Sequence, residues 1–158
     1  MPWLAESALL ELWVRLWGVC LMAMDVACAI IERGGRVLAA RRSRDMPRPG
    51  LWEFPGGKLA PGESAEQCLY REIREELGAE VKIRKRLLPC VHEDGKQPLR
   101  LIPFVCSISS GAPRALEHER IAWVPAGKLP SLQWCPADVL VLNQYLDSES
   151  QGIGSKNP

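Results

Sequence analysis

Glu72, Glu75 and Glu76 stand at helical spacing in GKLAPGESAEQCLYREIREELGA, residues 57–79, directly behind a Pro55-Gly56-Gly57 turn. At about 100° per residue, Ala65, Leu69, Ile73 and Leu77 share one helix face. Glu76 projects into that same sector, and Glu72 and Glu75 lie beside it. Like charges three or four residues apart cost about 0.2–0.5 kcal/mol per pair, and partial burial raises the cost. One explanation is a solvated acidic face paired with Arg71 and Arg74. It accounts neither for Glu76 on the core side nor for the glycine turn upstream, whereas a divalent cation accounts for both. Mg²⁺ takes carboxylates, carbonyls, waters and substrate phosphates as octahedral oxygen ligands. The implied substrate carries phosphates.

The elements that must hold these residues are legible in outline. Val26 to Glu32 and Val37 to Arg41 are β-leaning runs separated by Arg33-Gly34-Gly35-Arg36, which predicts a hairpin. Residues 42–50, RSRDMPRPG, read as an exposed basic loop leading into a short strand, Leu51 to Phe54. Ser64 with Gln67 forms a capping box that starts a helix at Ala65, and Gly78 stops it. Val81 to Leu88, Leu99 to Ile108 and Ile121 to Val124 read as strands, with His92 to Gln97 a polar turn. A second helix starts near Pro136, with Val139, Leu140, Leu142, Tyr145 and Leu146 expected to face the sheet. The polar residues 147–158 read as a disordered tail.

With 158 residues, 47% of them hydrophobic, the chain supports one core. Twenty Lys and Arg against nineteen Asp and Glu argue for a compact ligand over a nucleic-acid polymer. The six cysteines include no CxxC pair and the only histidines are His92 and His118, so zinc spacing is missing. The cysteines read as reduced, mostly buried thiols in a cytoplasm. Residues 1–23 form an extension rich in tryptophan. The uncharged run Leu16 to Met24 falls short of the ~20 residues a bilayer needs. An upstream start codon with Met22 or Met24 as the true beginning ranks first for it. A helix docked on the domain or at a dimer contact ranks second, and an interfacial membrane helix third.

Residues 57–79 resemble the Nudix box, with Gly57, Glu63, Arg71-Glu72, Glu75-Glu76 and Gly78 in register. Only the closing aliphatic position departs, holding the small Ala79. The resemblance runs from about Met24 to Leu146. It implies an α/β fold, the Nudix α/β/α sandwich, in which a Nudix helix and a C-terminal helix flank a mixed β-sheet. It further implies a domain over 24–146 that uses Mg²⁺, with Mn²⁺ able to substitute, on nucleoside diphosphate derivatives. Glu75 and Glu76 are then the main metal ligands, completed by the carbonyl of Gly56 and by Glu72, which is also a candidate base. Glu117, in LEHERIAW, matches a downstream acid that supplies another metal contact or the base; a solvated carboxylate beside Arg120 is its competing reading. Glu63 and Arg71 are expected to pair structurally. Lys58 and Arg42 are candidate phosphate contacts, although Arg42 also reads as a solvated loop charge. His118 reads as a solvated side chain and carries no assignment.

The flank LWEFPGGK resembles the MutT-like branch, whose members hydrolyse nucleoside triphosphates, with 8-oxo-dGTP as signature substrate, and so protect replication from damaged precursors. Cys135-Pro136-Ala137-Asp138 matches the place where that branch reads the base, with Asp138 where the type sequence has Asn. An ionised Asp accepts only, and guanine offers two adjacent donors, N1–H and N2–H, so guanine is favoured over cytosine. CTP and modified cytosine nucleotides remain an alternative, and helix N-terminal charge compensation needs no ligand at all. Phe54 either stacks on the base or belongs to the core. Trp52, Trp123 and Trp134 are assigned mainly to packing. The expected partner is a small nucleoside triphosphate bound to a monomer or homodimer, with no membrane. A non-catalytic nucleotide-binding module is the rival from another class.

Overall fold

The computed structural model describes residues 23–153, so the predicted N-terminal extension lies almost wholly outside the described residues. Eight strands form one sheet: β1 (Met24–Arg33), β2 (Arg36–Arg41), β3 (Trp52–Glu53), β4 (Gly56–Lys58), β5 (Glu80–Arg86), β6 (Cys90–His92), β7 (Leu99–Ser110) and β8 (Arg120–Pro125). Among the described residues, two α-helices, α1 (Ala65–Leu77) and α2 (Pro136–Ile153), accompany a 3₁₀ turn at Ala126–Ser131. The predicted hairpin is β1 and β2, with Arg33 opposite Arg36. Gly34 and Gly35 take φ of 56° and 72°, the pair of positive angles that a tight two-residue turn demands.

β1 is the hub. It pairs in parallel with β7 along Met24 to Glu32, and antiparallel with β2 at one end and β4 at the other. The sheet is therefore mixed. Alternation along β1 feeds two cores: Ala27, Ala29 and Ile31 meet Leu69, Ile73 and Leu77 of α1, while Cys28 and Ile30 belong with Val141, Leu142 and Tyr145 of α2. This is the expected α/β/α sandwich.

Helix α1 begins where the capping box places it: Ser64 Oγ accepts from the Gln67 amide at 3.1 Å, and Gln67 Oε1 accepts from the Ser64 amide at 2.9 Å. Helix α2 departs from expectation twice. Ala137, Asp138, Val141, Leu142 and Tyr145 form its buried stripe, while Val139 and Leu140 face outward. Their place in the sequence satisfied hydrophobicity but not the i, i+3, i+4 rule set by Asp138 and Val141. The helix also continues to Ile153, past the point where the polar composition suggested a disordered tail. Strands β4 and β6 were not predicted.

Candidate active site

The glycine turn is built by lack of space. A Cβ on Gly56 would stand 2.0 Å from the Ala27 carbonyl oxygen and 2.8 Å from Cys28 Cα, because β4 lies hard against β1. A Cβ on Gly57 would stand 2.3 Å from the Glu72 carboxyl carbon. One glycine lets the turn approach the sheet, and its neighbour leaves room for a glutamate from α1. The Gly56 amide then donates to Glu76 Oε2 at 3.0 Å.

Glu76 is 4% exposed. Burial pushes its carboxyl up to about 9; the Gly56 hydrogen bond opposes this, and the charges of Glu53, Glu72 and Glu117 add to it. Among the described residues no cationic side chain pairs with Glu76, and its Oε1 has no donor. An all-oxygen donor set around an uncompensated buried carboxyl fits a hard divalent cation. The neighbouring acids are otherwise engaged. Arg71 Nη1 donates to Glu72 Oε1 at 2.6 Å and to Glu75 Oε2 at 3.3 Å, while its Nε and Nη2 each reach Glu63 at 2.9 Å. The Glu63–Arg71 brace thus has the geometry expected from sequence, and it extends to two of the metal-ligand candidates, Glu72 and Glu75. Glu72, Glu75 and Glu76 consequently do not converge on one point. Among the described residues, the only three metal-ligating side chains with donor atoms within 4.8 Å of one another are those of Glu53, Cys135 and Asp138.

Glu117 is exposed in the loop between β7 and β8. That loop is fastened to α1: the Arg114 amide donates to the Leu77 carbonyl at 2.9 Å and the Leu116 amide to the Glu76 carbonyl at 3.0 Å. Satisfying the end of the helix in this way brings Glu117 close enough to raise the Glu76 carboxyl.

Beside this cluster lies a cavity of about 310 Å³ lined by Arg42, Glu53, Phe54, Gly56, Lys58, Glu76 and Asp138, among others. Of the metal-side candidates, Gly56 and Glu76 share this space with Arg42, Phe54 and Asp138, while Glu72, Glu75 and Glu117 do not line it. Lys58 is exposed there and, among the described residues, its ammonium has no acidic partner. Arg42 donates from Nε to the Pro47 carbonyl and from Nη1 to the Glu53 carboxylate, so it is an anchored charge on the cavity wall and not a solvated one. Phe54 packs against Trp134 with ring centroids 4.6 Å apart and is 3% exposed, which makes it a core residue with an edge on the cavity.

Asp138 lies in surroundings that oppose its ionisation. It is 7% exposed, its Oδ1 accepts from the Phe54 amide at 2.8 Å, and burial together with the Glu53 charge pushes its carboxyl up to about 8. At neutral pH it keeps its proton and can donate as well as accept. His118 also differs from its solvated reading. Its side chain is fully buried, with Nε2 2.7 Å from Glu53 Oε1. Glu53 is the functional candidate that sequence reasoning missed; a charged residue between the apolar Trp52 and Phe54, just before the glycine turn, was the available signal.

A family model described as NUDIX domain matches residues 22–149. The CTP pyrophosphohydrolase of Escherichia coli K12 is 34% identical over 123 residues, covering 78% of this chain and 91% of that protein. A protein of Mycobacterium tuberculosis named putative 8-oxo-dGTP diphosphatase 2 is 39% identical over 116 residues, covering 72% and 81%. Among solved structures, the E. coli ORF135 protein superposes with a TM-score of 0.73 at 32% identity, covering 84% of this chain and 95% of that one. A MutT NUDIX hydrolase from Burkholderia pseudomallei superposes with a TM-score of 0.63, also at 32% identity, covering 77% and 97%.

Proposed function

This chain belongs to the Nudix family and is a Nudix hydrolase, and from that premise we propose that it cleaves nucleoside triphosphates to the monophosphate and pyrophosphate. The observation that carries this reading is the buried Glu76 carboxyl, bonded to the Gly56 amide, uncompensated by any described side chain and open to the cavity. We assign Mg²⁺ to this place, with Glu75, Glu76, Glu72, the Gly56 carbonyl and Glu117 as the protein ligands that would close on it, since Glu72, Glu75 and Glu76 do not converge without the ion. When bound, the ion neutralises phosphate oxygens and acidifies water. Lys58, without an acidic partner, orients the phosphates from the cavity wall. Glu72, pressed over Gly57, is the candidate base; Arg71 holds it there through the 2.6 Å hydrogen bond.

The base enters the apolar end of the cavity, beside Phe54, Asp138 and Glu53. Asp138 with its proton is a donor, and Glu53, held by Arg42 and His118, is an acceptor. A guanine edge satisfies this pair through O6 and N1–H, and 8-oxo-dGTP is the first reading. A cytosine edge satisfies it through N3 and N4–H, so the protonated Asp138 supports CTP or a modified cytosine nucleotide as a second reading. The similarity to a relative named CTP pyrophosphohydrolase points the same way. Either substrate belongs to the cytoplasmic nucleotide pool, from which cleavage of 8-oxo-dGTP or of a modified cytosine nucleotide removes a damaged precursor. No described helix is long and apolar enough to cross a membrane.

Release of pyrophosphate from 8-oxo-dGTP, dGTP, CTP and dCTP, with monophosphate identified, tests both levels of the reading. Preference for an oxidised purine or for a cytosine nucleotide selects the base. Binding without turnover of any nucleotide would point to a nucleotide-binding module instead.

A further inference from the structure

His118 lies between two exposed glutamates, Glu117 and Glu119, yet its imidazole is fully buried. Its surroundings explain how. On one side the Leu116 amide is bound to the Glu76 carbonyl, and on the other the Glu119 amide donates to the Arg41 carbonyl at 2.9 Å. The loop is thereby stretched from α1 to β2, and the side chain between those two anchors points inward to β3, where Nε2 meets Glu53 Oε1 at 2.7 Å. Glu53 Oε2 is taken by Arg42. Both oxygens of one cavity-lining carboxylate are therefore fixed from different segments of the chain, with Asp138 within 4.8 Å.

A purely structural role accounts poorly for this choice of residue. His118 Nδ1 is buried and, among the described residues, has no partner, a cost that an apolar side chain of similar size would not carry. What histidine supplies is a rigid ring whose Nε2–H donates to Glu53, leaving that carboxylate as acceptor beside the Asp138 hydroxyl. The same contact fixes the residue next to Glu117.

We propose that His118 is a positioning residue that orients Glu53 in the base pocket and at the same time holds the Glu117 loop, so that base selectivity and placement of the downstream acid depend on one hydrogen bond. This inference rests on the nucleotide-hydrolase reading of the site.

The full chain and its His118→Leu, His118→Gln, Glu53→Gln and doubly substituted Glu53→Gln/His118→Leu forms are compared by kcat and KM on 8-oxo-dGTP and CTP with Mg²⁺. His118→Leu is expected to change the ratio of kcat/KM between the two substrates tenfold or more, mainly through KM, and to lower kcat on both. His118→Gln retains an N–H donor near the position of Nε2 and is expected to bring the ratio back towards wild type. The double variant is expected to show the same ratio as Glu53→Gln alone. An unchanged ratio in His118→Leu, whether activity is kept or falls equally on both substrates, overturns the proposal. Should the wild-type chain hydrolyse neither nucleotide, the hydrolase reading fails separately. Calorimetric binding of 8-oxo-dGMP and CMP then decides the His118 role, and equal affinities for wild type and His118→Leu overturn it. Should His118→Leu fail to fold, the wild-type imidazole ¹⁵N spectrum serves: a protonated Nε2 that shifts when the monophosphate binds supports the proposal, and one indifferent to it overturns it.

Discussion

Glu76 Oε2 accepts a 3.0 Å hydrogen bond from the Gly56 amide, so the last turn of α1 and the short strand β4 meet at a buried carboxyl. Burial pushes that carboxyl from its ordinary 4.5 up to about 9. An acid whose folded pKa is raised adds stability below its unfolded pKa and loses it as pH rises through the folded one. The metal-free protein is therefore expected to lose thermal stability between about pH 4.5 and pH 9, a slope that Mg²⁺ removes by displacing the proton. Calorimetric titration with Mg²⁺ in buffers of different ionisation enthalpy should show proton release at neutral pH.

The two glycines of the turn are expected to fail differently. Gly56→Ala would drive a methyl into the backbone of Ala27 and Cys28, which cannot yield, and thermal unfolding should show a chain that is largely unfolded. In Gly57→Ala the three nearest atoms to the new methyl all belong to the Glu72 carboxyl, the end of a side chain that can swing away. Its melting temperature should stay near wild type, while kcat falls about a hundredfold or more, as expected for loss of a positioned base.

Asp138 keeps its proton up to about pH 8, held by burial ahead of the Glu53 charge. Above that pH the base pocket would hold a second carboxylate, and KM should rise while kcat changes little. Asp138→Asn retains an N–H donor and should flatten the KM profile above pH 8. Asp138→Ala should raise KM at every pH. Steady-state kinetics from pH 6 to 9 separate the three.

Arg71 holds Glu63 well below its ordinary value, at about 2. This depression has the opposite sign: its stability is present above about pH 4.5 and disappears as pH falls towards 2. Arg71→Ala should abolish that acid-side dependence, measured by denaturant unfolding at pH 3 and pH 6. Arg71→Lys, a point charge in place of a fork that reaches Glu63, Glu72 and Glu75, should recover only part of it.

The sequence made local structure legible wherever the signal was local. The Ser64–Gln67 box, the Gly34-Gly35 turn and the apolar period of residues 65–77 each act within a few residues, and each element stands where expected. Strands β4 and β6 were not legible, because Gly56-Gly57-Lys58 has no β propensity and Cys90–His92 is extended only by pairing with β7. The glutamate helix was readable as a charged stretch that wanted a cation. The proposed base pocket was half readable. Asp138 could be named from its motif, but its proton follows from burial under β3, and Glu53 and His118 meet across 65 residues of chain. No periodicity reports a contact of that range. The helical continuation over 147–153 and the outward Val139 and Leu140 escaped the sequence for the same reason: the packing partner decides the face, and composition alone does not name it.

The most direct measurement of the central claim is pyrophosphate and monophosphate release by wild type and Glu76→Gln, with Mg²⁺ and with the metal chelated. The substitution removes the ligand charge while the amide can still accept from Gly56, so folding should be retained. Wild type is expected to release the two products in equal amounts only when Mg²⁺ is present, and Glu76→Gln to lose about a thousandfold in kcat, the scale set by loss of a charge-stabilising group. Turnover that survives chelation, or a Glu76→Gln enzyme as active as wild type, would contradict the account.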